Sequence, residues 1–245
     1  MLIGLLLVVA TGCSQSQECL DGEWVASQPP DTVIAVAPAL NFSGSAQFDP
    51  VQVADLMASE LSELPRMGVI GVSRVLAVLA EQGVDRIQSP EHALQVCERL
   101  GADAIVVFAV TEYDAYTPIV GLAAQLYGPR PKSPQLDPVA TSRMARPFPV
   151  VSQKEALRPW AQTQRTFHAE HEDVRCDLRR YAETRSAGRS PYGWKKYLAS
   201  QTWYLRFCCH AVVCDLTQQS EARLAGELAP PPAVANGTIT GERGL

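Results

Sequence analysis

Residues 104 to 110 read Ala-Ile-Val-Val-Phe-Ala-Val, and this unbroken apolar run constrains the fold of the chain more than any other segment. A continuous run of this kind, rich in β-branched residues, is typical of a strand that is buried on both faces. Residues 33 to 37 form a second, shorter run, which Pro38 ends. Because strands buried on both faces are covered by helices, the two runs predict an α/β fold.

Local signals mark the helices between these strands. Asp49-Pro50 is typical of an N-cap followed by a proline in the first helical turn, and Ser89-Pro90 repeats this pattern. Gly101 is the predicted C-terminal end of the helix that starts at Ser89-Pro90. Ser73 is the predicted cap of another helix, which ends at Gly83.

Alternation and helical periodicity predict the remaining elements. Strands are expected over residues 67–72, 119–127 and 164–169, and the second of these has one face in solvent. Helices are expected over residues 170–185 and 193–216. The predicted fold is an open α/β sheet of about four to five strands in two or three layers, with helices packed on it and a C-terminal helical pair.

The amino terminus has the pattern of an export signal. Residues 2 to 10 are apolar, and a small-residue site and a polar run follow them. The segment around Cys13 resembles the lipobox of bacterial lipoproteins, which implies a signal peptide over residues 1–12 and acylation of Cys13. An ordinary secretory signal and a buried strand with a chance cysteine are the alternatives. Ser14 resembles the sorting residue of lipoproteins destined for the outer membrane, so the expected location is the periplasmic face of that membrane.

Composition divides the mature chain into segments. Residues 13–31 are polar and are the predicted lipid-anchored tether, and residues 32–225 are the predicted α/β domain. Proline density predicts a long insertion without regular structure at residues 129–160. Residues 226–245, rich in proline and glycine, are the predicted disordered tail.

Charge is distributed unevenly along the chain, whose net charge is −5. Residues 1–128 hold 4 basic and 15 acidic residues, whereas residues 129–223 hold 16 basic and 9 acidic residues. Attraction between the two parts, or simple solvation, explains this better than an anionic partner such as phospholipid head groups or cell-wall polymer. A strongly basic nucleic-acid-binding protein is excluded.

The chain contains no phosphate-binding glycine loop, no nucleophile elbow and no zinc-protease helix motif.

One cluster of thiols is present near the C terminus, where His210 and Cys214 share a helix face and could ligate a metal. The surrounding residues are apolar, so core packing or a disulfide is preferred to a metal site, and no metal or cofactor is predicted. The candidate ligands are Cys208, Cys209, His210 and Cys214, with His168 and His171 upstream. The odd total of seven cysteines, which include Cys19, Cys97 and Cys176, leaves at least one that cannot pair within the chain.

Two further groups of side chains are candidates for a site. Glu112 and Asp114 follow the strongest strand, with Tyr113 and Tyr116 beside them, and capping or solvent exposure is preferred to acid–base chemistry. An aromatic set near the C terminus could bind a partner, although its helical spacing favours the core. Its members are Trp194, Tyr197, Trp203, Tyr204 and Phe207.

The order of these pieces resembles the periplasmic α/β domain shared by curli-secretion lipoproteins, penicillin-binding-protein activator lipoproteins and the amino-terminal domain of TolB. The matching segments are residues 34–38 with 41–44, residues 68–70 and residues 100–106. The resemblance implies a non-enzymatic role in envelope assembly or secretion, with an envelope protein as partner and no catalytic residues. The alternative is a hydrolytic or metal-dependent envelope enzyme that uses the C-terminal half. The oligomeric state does not follow from the sequence.

Overall fold

The computed structural model describes residues 30–129, 157–185 and 190–224. The predicted signal peptide with Cys13, nearly all of the tether, most of the insertion and the tail lie outside these residues. The elements in chain order are β1 (Thr32–Val36), β2 (Leu40–Asn41), α1 (Pro50–Ser62), β3 (Met67–Ile70), α2 (Val72–Glu81), α3 (Pro90–Leu100), β4 (Ala104–Asp114), β5 (Ile119–Tyr127), β6 (Ala161–His168), α4 (Glu172–Thr184), a 3-10 turn (Gly193–Lys195), α5 (Lys196–Ala199) and α6 (Gln201–Leu224).

These strands form one open six-stranded sheet in the order β3-β1-β4-β5-β6. The strands β3, β1 and β4 are parallel, whereas β4, β5 and β6 are antiparallel. The two-residue strand β2 pairs with Ala109 and Val110 of β4. It lies on the same side of β4 as β1, which pairs with residues 104–106. The predicted α/β open sheet is therefore confirmed, and β4 lies at its centre as expected of the strongest apolar run.

Helices cover the two faces of the sheet to different extents. One face packs against α1, α4 and α6, and its β4 residues are Val106, Phe108 and Val110. The opposite face packs against α2 and α3 through Ala35, Ala37, Ile105 and Tyr127. Three layers therefore exist at the parallel end of the sheet and at Tyr127 of β5, and the remaining antiparallel part has helices on one face.

The predicted helix starts are confirmed for two of three helices. The Asp49 side chain accepts a hydrogen bond from the Val51 amide, and Ser89 accepts one from the His92 amide. Gly101 ends α3 in the left-handed conformation. The prediction for Ser73 is wrong, because Gly71 is the N-cap of α2 and the buried Val72 already belongs to its first turn.

Two C-terminal boundaries also differ from the prediction. The single helix expected over residues 193–216 is broken at Ser200, whose backbone is extended and whose carbonyl accepts the Tyr204 amide. Serine at an N-cap starts the new helix α6 there. Strand β6 begins at Ala161 rather than at residue 164, since Ala161 pairs with Leu126. No helix in the described part of the chain is long and apolar enough to span a membrane.

Candidate functional site

The predicted thiol cluster separates into two environments on α6. Cys208 and Cys209 are completely buried, and burial raises the pKa of both thiols, so the prediction of core packing is confirmed for them. His210 and Cys214 lie on a partly exposed face, where the Cys214 Sγ is 3.5 Å from the His210 Nε2. The described cysteines are free thiols, and no group of three potential ligands for a metal ion occurs among the described residues. The two upstream candidates, His168 and His171, stack on each other with ring centroids 4.6 Å apart.

Asp114, the last residue of β4, has a structural role. Asp114 accepts hydrogen bonds from the amides of Tyr116 and Thr117 at 2.8 and 3.3 Å and thereby closes the turn between β4 and β5. This confirms the capping interpretation for Asp114. Of the aromatic set, Tyr197, Tyr204 and Phe207 are in the core, as the spacing predicts, while Trp203 is 40% exposed.

A buried carboxylate on α1, which the sequence does not single out, joins three helices. Glu60 is 1% exposed, and its two oxygens accept hydrogen bonds from four side chains of the C-terminal half. The donors and their distances are Arg206 Nε at 2.6 Å, Arg185 at 2.6 Å, His210 Nδ1 at 3.1 Å and the Tyr181 hydroxyl at 3.2 Å. We call these five residues the Glu60 cluster.

The opposite charges of Glu60 and its partners determine which groups of the Glu60 cluster are protonated. Burial alone raises the pKa of Glu60, but the hydrogen bonds from His210 and Arg206 and the charge of Arg185 together lower it below its ordinary value. Burial alone lowers the pKa of His210, whereas its hydrogen bonds with Cys214 and Glu60 raise it to about 9. At neutral pH the cluster therefore holds an ionised carboxylate and a protonated imidazole.

A cavity of about 350 Å³ lies beside this cluster, between α4, α6 and β6. His210 and Cys214 line it, together with the ion-paired Arg165, Asp177 and Asp215. The volume is in the range of small-molecule sites.

The uncovered face of the sheet forms a second concave surface, which we call the open groove. It has a volume of about 390 Å³ and lies where β4, β5 and β6 extend past the helices α2 and α3. Its walls are Leu40, Phe42, Val107, Phe108, Ala109, Thr111, Ala123, Ala124, Gln125, Gln162, Thr163 and Gln164.

The composition of the open groove differs from that of the chain as a whole. Charged residues make up 19% of the sequence, yet none of the twelve lining residues is charged. Phe42 stands at its rim with 68% of its surface exposed. The alternating sequence pattern predicts a solvent-exposed face for β5, and Gln125 lies on that face. The groove itself could not be predicted, because its walls come from four strands and a loop.

Comparison with known proteins gives similar structures but no family. No family model and no curated protein sequence matches the chain. The lipoprotein GNA1162 from Neisseria meningitidis is 17% identical with a TM-score of 0.40, over 65% of this chain and 99% of that one. The LpoB C-terminal domain from Salmonella enterica is 12% identical with a TM-score of 0.34, over 42% of this chain and 75% of that one.

A third similar structure is the hypothetical protein CT253 from Chlamydia trachomatis, which is 13% identical with a TM-score of 0.35 over 80% of this chain and 96% of that one. The similar structures thus include a bacterial lipoprotein, GNA1162, which is of the class that the sequence resembles. At such identities and TM-scores, no function is transferred from these proteins to the chain.

Proposed function

We propose that the chain is a non-enzymatic, lipid-anchored interaction module of the bacterial cell envelope, and that it binds a protein partner through the open groove. The observation that carries this proposal is the uncharged lining of the groove together with the exposed Phe42. The centres of protein interfaces are depleted in charged residues and enriched in aromatic ones. An exposed aromatic side chain beside a concave surface is a typical anchor of such an interface.

The lining also indicates the chemistry of the partner. Gln125, Gln162 and Gln164 provide amide groups that both donate and accept hydrogen bonds, while Val107 and Ala109 provide apolar surface between them. Such a surface fits an uncharged polypeptide segment with a small or apolar side chain that contacts Phe42. A strongly charged partner would lose its hydration there without gaining an ion pair.

Membrane attachment through Cys13 is the second part of this proposal. The apolar run of residues 2–10 and the lipobox-like site support cleavage before Cys13 and its acylation. The tether up to Asp31 would span roughly 60 Å when fully extended, at about 3.3 Å per residue. This reach lets the groove meet a partner away from the bilayer, on the periplasmic side of the outer membrane. We place the domain at residues 32–225, with its insertion at 129–160 and its tail at 226–245.

Site-specific photo-crosslinking in intact cells tests the groove. A photoreactive phenylalanine analogue at Phe42 should give one dominant crosslinked protein, identified by mass spectrometry. The same analogue at Tyr192, which is 73% exposed near α5, serves as the control and should not give that product. A Gln125→Arg change, which puts a charge into the groove, should remove it. Equal products from both positions, or a product that survives Gln125→Arg, would contradict the proposal.

Intact-mass measurement of the membrane-extracted protein tests the anchor separately. A chain that begins at Cys13 and carries acyl groups is the expected result, and Cys13→Ser should leave the precursor unprocessed. An unmodified Cys13 would contradict anchoring by lipid but would leave the groove as a binding surface.

A further inference from the structure

Three side chains of the described chain, one on α1 and two on α6, form an array of successive contacts that leads from the core to the cavity. The Glu60 carboxylate contacts the Nδ1 of His210 at 3.1 Å, and the Nε2 of the same ring contacts the Sγ of Cys214 at 3.5 Å. Cys214 is partly exposed and lines the cavity of about 350 Å³. The order carboxylate, imidazole, thiol is one in which a nucleophilic sulfur is held by an oriented histidine.

The charges around this array favour reactivity of the sulfur. Because His210 is protonated at neutral pH, its Nδ1–H donates to Glu60 and its Nε2–H donates to the Cys214 sulfur. A histidine that is itself held by a carboxylate orients and polarises a cysteine sulfur for nucleophilic attack. The other charges that line the cavity are balanced, since Arg165 pairs with Asp177 and Asp215 and Arg180 also pairs with Asp177.

We propose that Cys214 is a reactive thiol that undergoes exchange with small disulfides which enter the cavity. The inference does not depend on the partner-binding function, because the cavity and the open groove lie on opposite faces of the sheet. His210 is a positioning residue in this exchange, and Glu60 fixes the orientation of its ring.

The exchange step needs no further reactant. The Cys214 sulfur attacks one sulfur of a disulfide R–S–S–R, a new bond forms between Cys214 and that sulfur, and the original S–S bond breaks. The departing R–S⁻ takes up one proton, which balances the proton that Cys214 lost. The protein thiol is oxidised to a mixed disulfide, and half of the small disulfide is reduced to R–SH.

Other cysteines of the chain provide internal controls. Cys176 on α4 is more exposed than Cys214 but is not part of the array. Cys97 is buried, and burial, with the charges of Asp103 and Glu98, raises its pKa to about 11. Cys208 and Cys209 are buried in the core, so they stay unmodified as long as the chain is folded.

The test uses 2,2′-dithiodipyridine, a small uncharged disulfide, on the chain from residue 13 with Cys13→Ser and Cys19→Ser. Modification at each cysteine is followed at pH 7 by mass spectrometry of quenched, digested samples. We expect Cys214 to react at least about tenfold faster than Cys176, because the His210 ring holds the Cys214 sulfur in the cavity whereas Cys176 lies outside the array. In His210→Gln, we expect the Cys214 rate to fall at least about fivefold with the Cys176 rate unchanged, because the cationic donor is lost.

Each result decides the proposal. A Cys214 rate equal to or below that of Cys176 overturns it, and so does an unchanged Cys214 rate in a folded His210→Gln variant. Modification of Cys208 and Cys209 would reveal that the variant has unfolded. In that event the comparison of Cys214 with Cys176 in the unsubstituted chain decides, because it requires no change in the array.

Discussion

The carboxylate of Glu60 on α1 accepts a hydrogen bond from the Nε of Arg206 on α6 at 2.6 Å, although 146 residues separate the two in the sequence. Arg185 adds a second ion pair to Glu60, and it also binds Glu63 at 2.9 Å. These contacts join the acidic first half of the chain directly to its basic second half. The uneven charge distribution therefore has a structural role in docking α4 and α6 against α1.

Removal of the Glu60 charge should weaken the fold. We expect Glu60→Gln to lower the free energy of unfolding by about 3 kcal/mol, because Arg206 and Arg185 lose the partner of a buried ion pair. Urea denaturation followed by circular dichroism measures this. Glu63→Gln, at the C-cap of the same helix, is the matched control, and loss of the charge on its 54% exposed side chain should cost less than about 1 kcal/mol. Equal losses for the two variants would show that burial of Glu60 is not decisive.

Stability should depend on pH through His210. The pKa of His210 rises from its ordinary 6.5 to about 9 in the folded chain, so the folded state binds the proton more tightly than the unfolded state. This contribution is fully present below pH 6.5 and is lost as the pH rises towards 9. Urea midpoints of the reduced protein should fall across this window, and His210→Gln should flatten the decline. An identical decline in the variant would assign it to other groups.

Two serines provide a comparison of a real helix cap with a residue that only resembles one. Ser89→Ala should lower the free energy of unfolding by about 1 kcal/mol, since the His92 amide loses its hydrogen bond. Ser73→Ala should be neutral or slightly stabilising, because Ser73 is an exposed residue within α2 and alanine favours helices. Thermal melts of both variants test this, and a larger loss for Ser73→Ala would contradict the assigned start of α2.

Local signals predicted most of the elements, because the interactions that fix them lie within a few residues. Asp49 contacts Val51, and Ser89 contacts His92, so both caps can be identified from the sequence. The Glu60 cluster could not be predicted, since its partners lie 121 to 150 residues away and a glutamate at a helical position is usually exposed.

The candidate sites also differ in how much of each one the sequence predicts. The spacing of His210 and Cys214 indicated that they share a helix face, and they do contact each other. The role of Glu60 as the third member depends on how α1 packs on α6, which the sequence does not specify. The open groove depends on where α2 and α3 end above the sheet, and this is a property of packing rather than of any motif.

Gly128 is packed closely between the Trp160 ring and the backbone of Asp103. A Cβ atom at this position would clash with the Trp160 ring and lie 2.7 Å from the Asp103 carbonyl oxygen. That carbonyl cannot move easily, because the Asp103 amide donates to the Val33 carbonyl and its carboxylate accepts the Val33 amide, each at 2.8 Å. We therefore expect Gly128→Ala to lower the free energy of unfolding by about 2 kcal/mol through overpacking.

Gly71→Ser is the contrasting change, since a Cβ there meets no atom within 4 Å and serine is a good N-cap for α2. It should leave stability unchanged or raise it by a few tenths of a kcal/mol. Urea denaturation of both variants gives the comparison, and a Gly128→Ala chain as stable as the unsubstituted protein would refute the close approach of Trp160 and Asp103 to this position.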